Sequence, residues 1–159
     1  GVPLKLILLA GACGGMAEII WVKIYALLAG QSSAEVARQV TASLLPGMAD
    51  AVVAPGLGVA IHLVLSVLVA LVYALLVWLP FTRHRGPGVS VAVASGALAC
   101  IWAVNFLLLL PVVNAEFVHL LPYSVTLGSK LLFGMAMAGI FHVGQSWRQD
   151  GKRFALTSG

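Results

Sequence analysis

Glu18, His62, Asn105 and Lys130 are a carboxylate, an imidazole, an amide and an ammonium, each set inside a long apolar run. A Glu–Lys pair with an imidazole beside it could pass protons, hold a small ion or ligand, or clamp helices by mutual hydrogen bonding. A charged group at that depth costs several kcal/mol unless another protein group meets it. Four such groups in one chain are therefore expected to meet one another. No GxSxG, HExxH or Walker-type loop is present, and no residue stands out as a catalytic nucleophile. The sequence thus points away from an enzyme.

The elements that must position these groups are four apolar stretches, about Leu4–Ala29, Pro55–Leu79, Val89–Leu110 and Tyr123–Gly144. Each reaches the roughly 20 residues that a helix needs to cross a hydrocarbon core of about 30 Å. The 159 residues are 61% hydrophobic and 9% charged, with a mean hydropathy of +1.05. That leaves room for one all-α, four-helix transmembrane bundle over residues 1–145, with a basic cytoplasmic tail over 146–159. The net charge of +4 is explained by topology rather than by nucleic acid. Lys5, Arg83, Arg85, Arg148, Lys152 and Arg153 fall on one side of the spans and Arg38 alone on the other, which places both termini in the cytoplasm.

Between the first two spans, Ser32 and Glu35 have the spacing of a capping box, in which each side chain satisfies a free amide of the first turn. Val36, Val40 and Leu44 follow at i+4 up to Pro46-Gly47. A short amphipathic helix lying in the outer interface is expected. Span two is expected to end at Pro80, and Pro111 to Pro122 to form a solvated outer loop. In that loop Glu116 and His119 have the i+3 spacing of a metal pair, but two ligands are too few for a site and no metal is expected. Cys13 and Cys100 make no CxxC and read as small apolar fillers.

Counting at ~1.5 Å per residue from the cytoplasmic helix ends puts Glu18, His62, Asn105 and Lys130 at about 21–26 Å, in one layer. Each lies on the small-residue face of its helix. The stripes are Gly11, Gly15, Glu18 and Tyr25; Gly58, His62, Ser66 and Tyr73; Ser95, Ala99, Trp102 and Asn105; and Lys130, Gly134 and Ala138. Small residues let helix backbones approach closely, so the polar groups should point inward. A Glu18–Lys130 ion pair completed by His62 and Asn105 is the simplest arrangement, with Ser66, Tyr73 and Ser95 as secondary polar positions. Gly15–Trp21 matches Gly96–Trp102 in spacing, and His62–Tyr73 matches Lys130–Phe141. Such spacings would follow from two helix–loop–helix halves in the same orientation.

His62 and His142 differ in depth by roughly 20 Å on the same count. A bis-histidine haem within the chain is therefore not expected, and no cofactor is predicted; a haem shared with a neighbouring subunit is the one case left open. Gly14-Gly15, His62 followed by Tyr73, and Gly134 with Phe141 together resemble small four-helix bacterial inner-membrane proteins of unknown function, the YagU-like group. The resemblance covers about residues 10–145, with Lys130 standing where a second histidine would be expected. It implies a multi-pass protein of the bacterial inner membrane and carries no activity. The expected function is a non-catalytic accessory subunit of a larger membrane complex. Its partners would be membrane lipids and other integral subunits, or further copies of itself. The rival is a small transporter or channel built on the polar layer.

Overall fold

Alanine, leucine and valine dominate runs in which nothing breaks the helix, and the computed structural model carries these runs further than the apolar stretches alone suggest. It describes the backbone of residues 2–157 and the side chains of residues 2–147. Four helices are long and apolar enough to cross a membrane: α1 (Leu4–Leu28), α3 (Ala54–Thr82), α4 (Pro87–Val113) and the first part of α6 (Tyr123–Thr157). Two short helices, α2 (Ser33–Leu44) and α5 (Ala115–Leu120), lie in the connections. No strand occurs among the described residues. The chain is thus an all-helical, multi-pass membrane protein.

Two prolines expected to end their helices do not. Pro80 and Pro111 cannot donate to the helix ladder. Around them the hydrogen bonding widens to π type, over Ala74–Thr82 and Asn105–Leu109, and the helix continues. Arg83 N–H bonds Trp78 O at 2.9 Å, and Leu110 N–H bonds Asn105 O, each reaching five residues back. A one-residue widening is a known way for a helix to absorb a missing donor. Helix α6 likewise runs without a break through residues 145 and 146 to Thr157. The side chains of Arg148, Lys152 and Arg153, expected in a basic tail, lie outside the described residues.

The spans pack in the order α3, α1, α6, α4, so α1 and α6 are central. Helices α3 and α4 come together at the end bearing the 83–86 loop, where Ser90 Oγ donates to Thr82 O at 3.3 Å. We call this the terminal end. In that half, Ile7, Ala70, Trp78, Leu98, Phe133, Met137 and Phe141 form one buried core. Tyr73 stacks on Phe141 with ring centroids 6.1 Å apart. Those two are matched positions of the internal repeat, but the repeat does not extend to the glycines. Gly15 packs on Ser66, whereas Gly96 faces open space.

At the opposite, capped end, Gly30 takes φ 65° and turns the chain out of α1. Ser32 Oγ accepts from Glu35 N–H at 3.3 Å, so one half of the capping box forms. The other half does not. Glu35 instead takes two Arg38 N–H bonds of 2.7 Å each and one from Gln39 at 2.9 Å. Charge-assisted, two-pronged bonds of this kind outcompete a single neutral amide. The side of α2 turned to the bundle holds Val36 and Thr41, with Ala37 against Gly58, while Leu44 is exposed. Thr41 Oγ1 donates to Ala54 O at 2.6 Å. Asn114 Nδ2 donates to Gln39 Oε1 at 2.8 Å and Ser43 Oγ at 3.0 Å, while its own Oδ1 caps α5 at Phe117 N–H. The segment expected to be a solvated loop is therefore a helical turn with Val118 and Leu121 buried.

Two outcomes follow. A Cβ added at Gly134 would sit 2.8 Å from the Ser95 backbone, so Gly134→Ala should cost about 1–3 kcal/mol through forced helix separation. Gly96→Ala should cost nothing measurable, and reversible unfolding in mixed micelles compares the two. The Arg38 and Gln39 bonds hold the Glu35 carboxyl below its usual value near 4.5. A lowered carboxyl pKa stabilises the fold above the unfolded value, and that contribution is lost as pH falls through the folded one. Amide exchange in α2, corrected for intrinsic rate, should therefore accelerate below about pH 4.5, more than in the terminal half of α4, which carries no carboxylate.

Candidate functional site

Glycine spacing on α1 builds the site. Gly11 and Gly15 let α1 press on α3 around Ser66 and Val67, and Gly14 receives the Phe133 ring of α6. With helices this close on both sides, Glu18, one turn further along, is enclosed, and only 3% of it remains exposed. A buried carboxylate needs donors, and two helices supply them. Lys130 Nζ of α6 lies 2.7 Å from Oε1 and 3.0 Å from Oε2 of Glu18. His62 Nε2 of α3 lies 3.2 Å from Oε2 and 3.3 Å from Gly15 O, so its proton is shared between the two. Ser129 Oγ, which donates to Thr126 O at 2.7 Å, stands 3.4 Å from Oε1.

Lys130 reaches this position from an unexpected direction. Its stripe on α6 includes Thr126 and Gly134, both turned toward α4. The ammonium therefore crosses the middle of the bundle to reach α1, passing 6.0 Å from the Phe133 ring centroid. The site is roofed by two indoles. Trp21 Nε1 donates to Val125 O at 3.0 Å and Trp102 Nε1 to Thr126 Oγ1 at 2.9 Å. Its floor is the aromatic and aliphatic core of the terminal half.

Asn105 is not part of it. Gly134 abuts Ser95 and Thr126 meets Trp102, and this antiparallel register sets Lys130 level with Leu98. Asn105 then stands about seven residues, or ~10 Å, nearer the capped end, and its side chain makes no hydrogen bond among the described residues. The error has a physical origin. A depth counted from helix ends does not hold for Lys130, because α6 continues to Thr157.

The secondary polar residues also fall elsewhere. Ser66 Oγ returns its proton to His62 O at 2.7 Å, Ser95 contributes backbone to the Gly134 contact, and Tyr73 lies in the terminal core. Glu116 and His119 are exposed on α5, and no group of three or more metal-binding side chains occurs among the described residues. His62 and His142 sit in opposite halves, His142 against the Trp78 ring at 4.9 Å. Ser129 and the two indole bonds were not anticipated. The only signal for Ser129 was its place beside Lys130, on the flank of α6 that meets α1.

Comparison with protein-family models, with curated proteins and with solved structures finds no match to this chain.

Glu18→Gln leaves a buried ammonium without its counter-charge and should destabilise the fold by about 3–5 kcal/mol. Asn105→Leu should stay within about 0.5 kcal/mol of the parent, as substitutions outside packed or paired positions do. Thermal unfolding of both variants in one detergent makes the comparison.

Proposed function

We propose that this chain is a non-catalytic, structural subunit of a larger membrane assembly, with the Glu18–Lys130–His62 network acting as the clamp that fixes its helix register. The observation that carries this reading is the closure of the network. Both carboxylate oxygens of Glu18 are met by groups of the same chain, drawn from α3 and α6. A site built for turnover or transport keeps at least one group poised toward a ligand, whereas here the ionic groups are spent on one another. Surface suited to neighbours lies on α4. There Ala92, Gly96 and Cys100 form an exposed line of small residues at i+4 spacing, the kind of surface on which membrane helices dock. In this reading both termini face the cytoplasm, with Lys5, Arg83 and Arg85 on that side, and α2 lies along the outer surface. The resemblance to YagU-like proteins favours a bacterial inner membrane.

A second reading rests on one further observation. The side chains of His62 and Lys130 remain 23% and 19% exposed, so the network is not wholly sealed. A proton or small cation could reach it along the side where α3 and α4 are least closely packed.

The double substitution Glu18→Gln with Lys130→Met separates the readings. A clamp predicts that the double variant regains most of the stability lost by either single variant, because the unpaired charge is gone. It also predicts that the protein leaves mild detergent with other subunits in fixed stoichiometry. A conducting site predicts proton flux in reconstituted vesicles that the double variant abolishes while remaining folded. That result would overturn the structural reading.

A further inference from the structure

The terminal end carries a second polar cluster that the Glu18 network does not use. Arg83, His84 and Arg85, on the turn joining α3 to α4, face His142, Gln145 and Ser146 on α6 across an open basin of about 330 Å³. The turn is held against α6 because Gln145 Nε2 donates to Arg83 O at 2.9 Å. That bond settles the orientation of the amide and leaves Gln145 Oε1 as an acceptor, buried and without a partner among the described residues. His142 Nε2 is also buried and unpartnered, and its ring is fixed edge-on to Trp78 with centroids 4.9 Å apart. Buried polar atoms are paired in nearly all folded proteins, so two such atoms beside one basin mark where a ligand's polar groups would be satisfied.

The chemistry of that partner can be read from the lining. Two guanidiniums two residues apart suit the planar, two-pronged recognition of phosphate oxygens. Of the five acids in the sequence, Glu18 is committed inside the bundle, Glu35, Asp50 and Glu116 belong to the connections at the capped end, and the side chain of Asp150 lies outside the described residues. The described lining of the basin is basic and neutral, with Arg83 and Arg85 beside His84, His142, Gln145 and Ser146. The Gln145 oxygen adds a requirement that phosphate alone does not meet, a hydroxyl to donate to it. The basin also sits where α3 ends at Thr82 and α4 begins at Pro87, the level at which headgroups surround a membrane helix. Basic pockets between spans at that level take anionic headgroups.

We infer that the Arg83–Arg85 turn and the His142–Gln145 face of α6 form a binding site for a hydroxyl-bearing phosphate ester. The guanidiniums hold the phosphate, the His142 ring nitrogen donates to one of its oxygens, and Gln145 Oε1 accepts from the alcohol. Two sources offer this chemistry: the headgroup of phosphatidylglycerol and a soluble ester such as glycerol phosphate.

The test uses the full chain in nanodiscs and in detergent. Native mass spectrometry of protein released from mixed phosphatidylglycerol–phosphatidylcholine membranes should show retained phosphatidylglycerol. Arg85→Gln should lower that retention at least tenfold. Lys5→Gln removes one positive charge at the same end but outside the basin, and should leave retention unchanged. Both positions are exposed, and an unchanged melting temperature for each variant shows that folding is intact. Binding of glycerol phosphate by the detergent-solubilised protein, lost in Arg85→Gln and with no lipid preference, would support the site and assign it to the soluble ester. Equal loss from Arg85→Gln and Lys5→Gln would reduce the effect to general surface charge and overturn the proposal, as would retention of neither ligand.

Discussion

The arrangement of this bundle depends on one requirement, that a carboxylate placed within a hydrocarbon-spanning helix must be met. Glu18 can be enclosed only if α1 lies close to both neighbours, and the glycines at positions 11, 14 and 15 are what allow it. Once enclosed, it fixes the axial register of α1 against α6 through Lys130 and against α3 through His62. Hydrophobic packing alone would not do this, because lipid tails are as apolar as the leucine and valine surfaces between helices. Close packing and ionic pairing are therefore joint conditions. Without the glycines the pair could not form, and without the pair the close approach would leave a stranded charge.

The two halves of the molecule divide the task. In the terminal half, Tyr73, Trp78, Phe133 and Phe141 fill the bundle centre, and α3 and α4 are drawn together around them. In the capped half the centre is occupied by the polar network, and closure comes from above. There α2 lies across the bundle and is tied to the α4–α5 junction through Asn114. Pro80 and Pro111 belong to the same economy of space. Both prolines are exposed near helix ends, and the π widening beside them still sets Trp78 and Phe106 into buried clusters.

Much of this is legible in the sequence, and for identifiable reasons. Span number follows from hydropathy because a bilayer imposes a length. The partnership of Glu18 with Lys130 and His62 follows from cost, since unpaired groups are not tolerated at that depth. The glycine faces follow from periodicity. The level of Asn105 is not legible, because helix termini do not set it: neither Pro80 nor the polar residues after Gly144 end a helix here. Register between helices is instead set by contacts such as Gly134 on Ser95, which no single helix reveals. The Glu35 side chain was misassigned because spacing identifies a possible capping box but does not weigh it against an arginine three residues ahead. The short helix Ala115–Leu120 is not legible in the sequence, because six residues carry too little periodicity to register.

The separation of Glu18 from Lys130 along the chain, 112 residues, bears on how the protein is made. Helix α1 is synthesised and must enter the membrane long before its counter-charge exists. Until the fourth span arrives, the acidic side chain has at most His62 of the second span to meet it, and no ammonium. Final seating of the first span therefore waits on the last. The ion pair then reports that every span is present, and a chain truncated before residue 130 would lack the ammonium that answers Glu18.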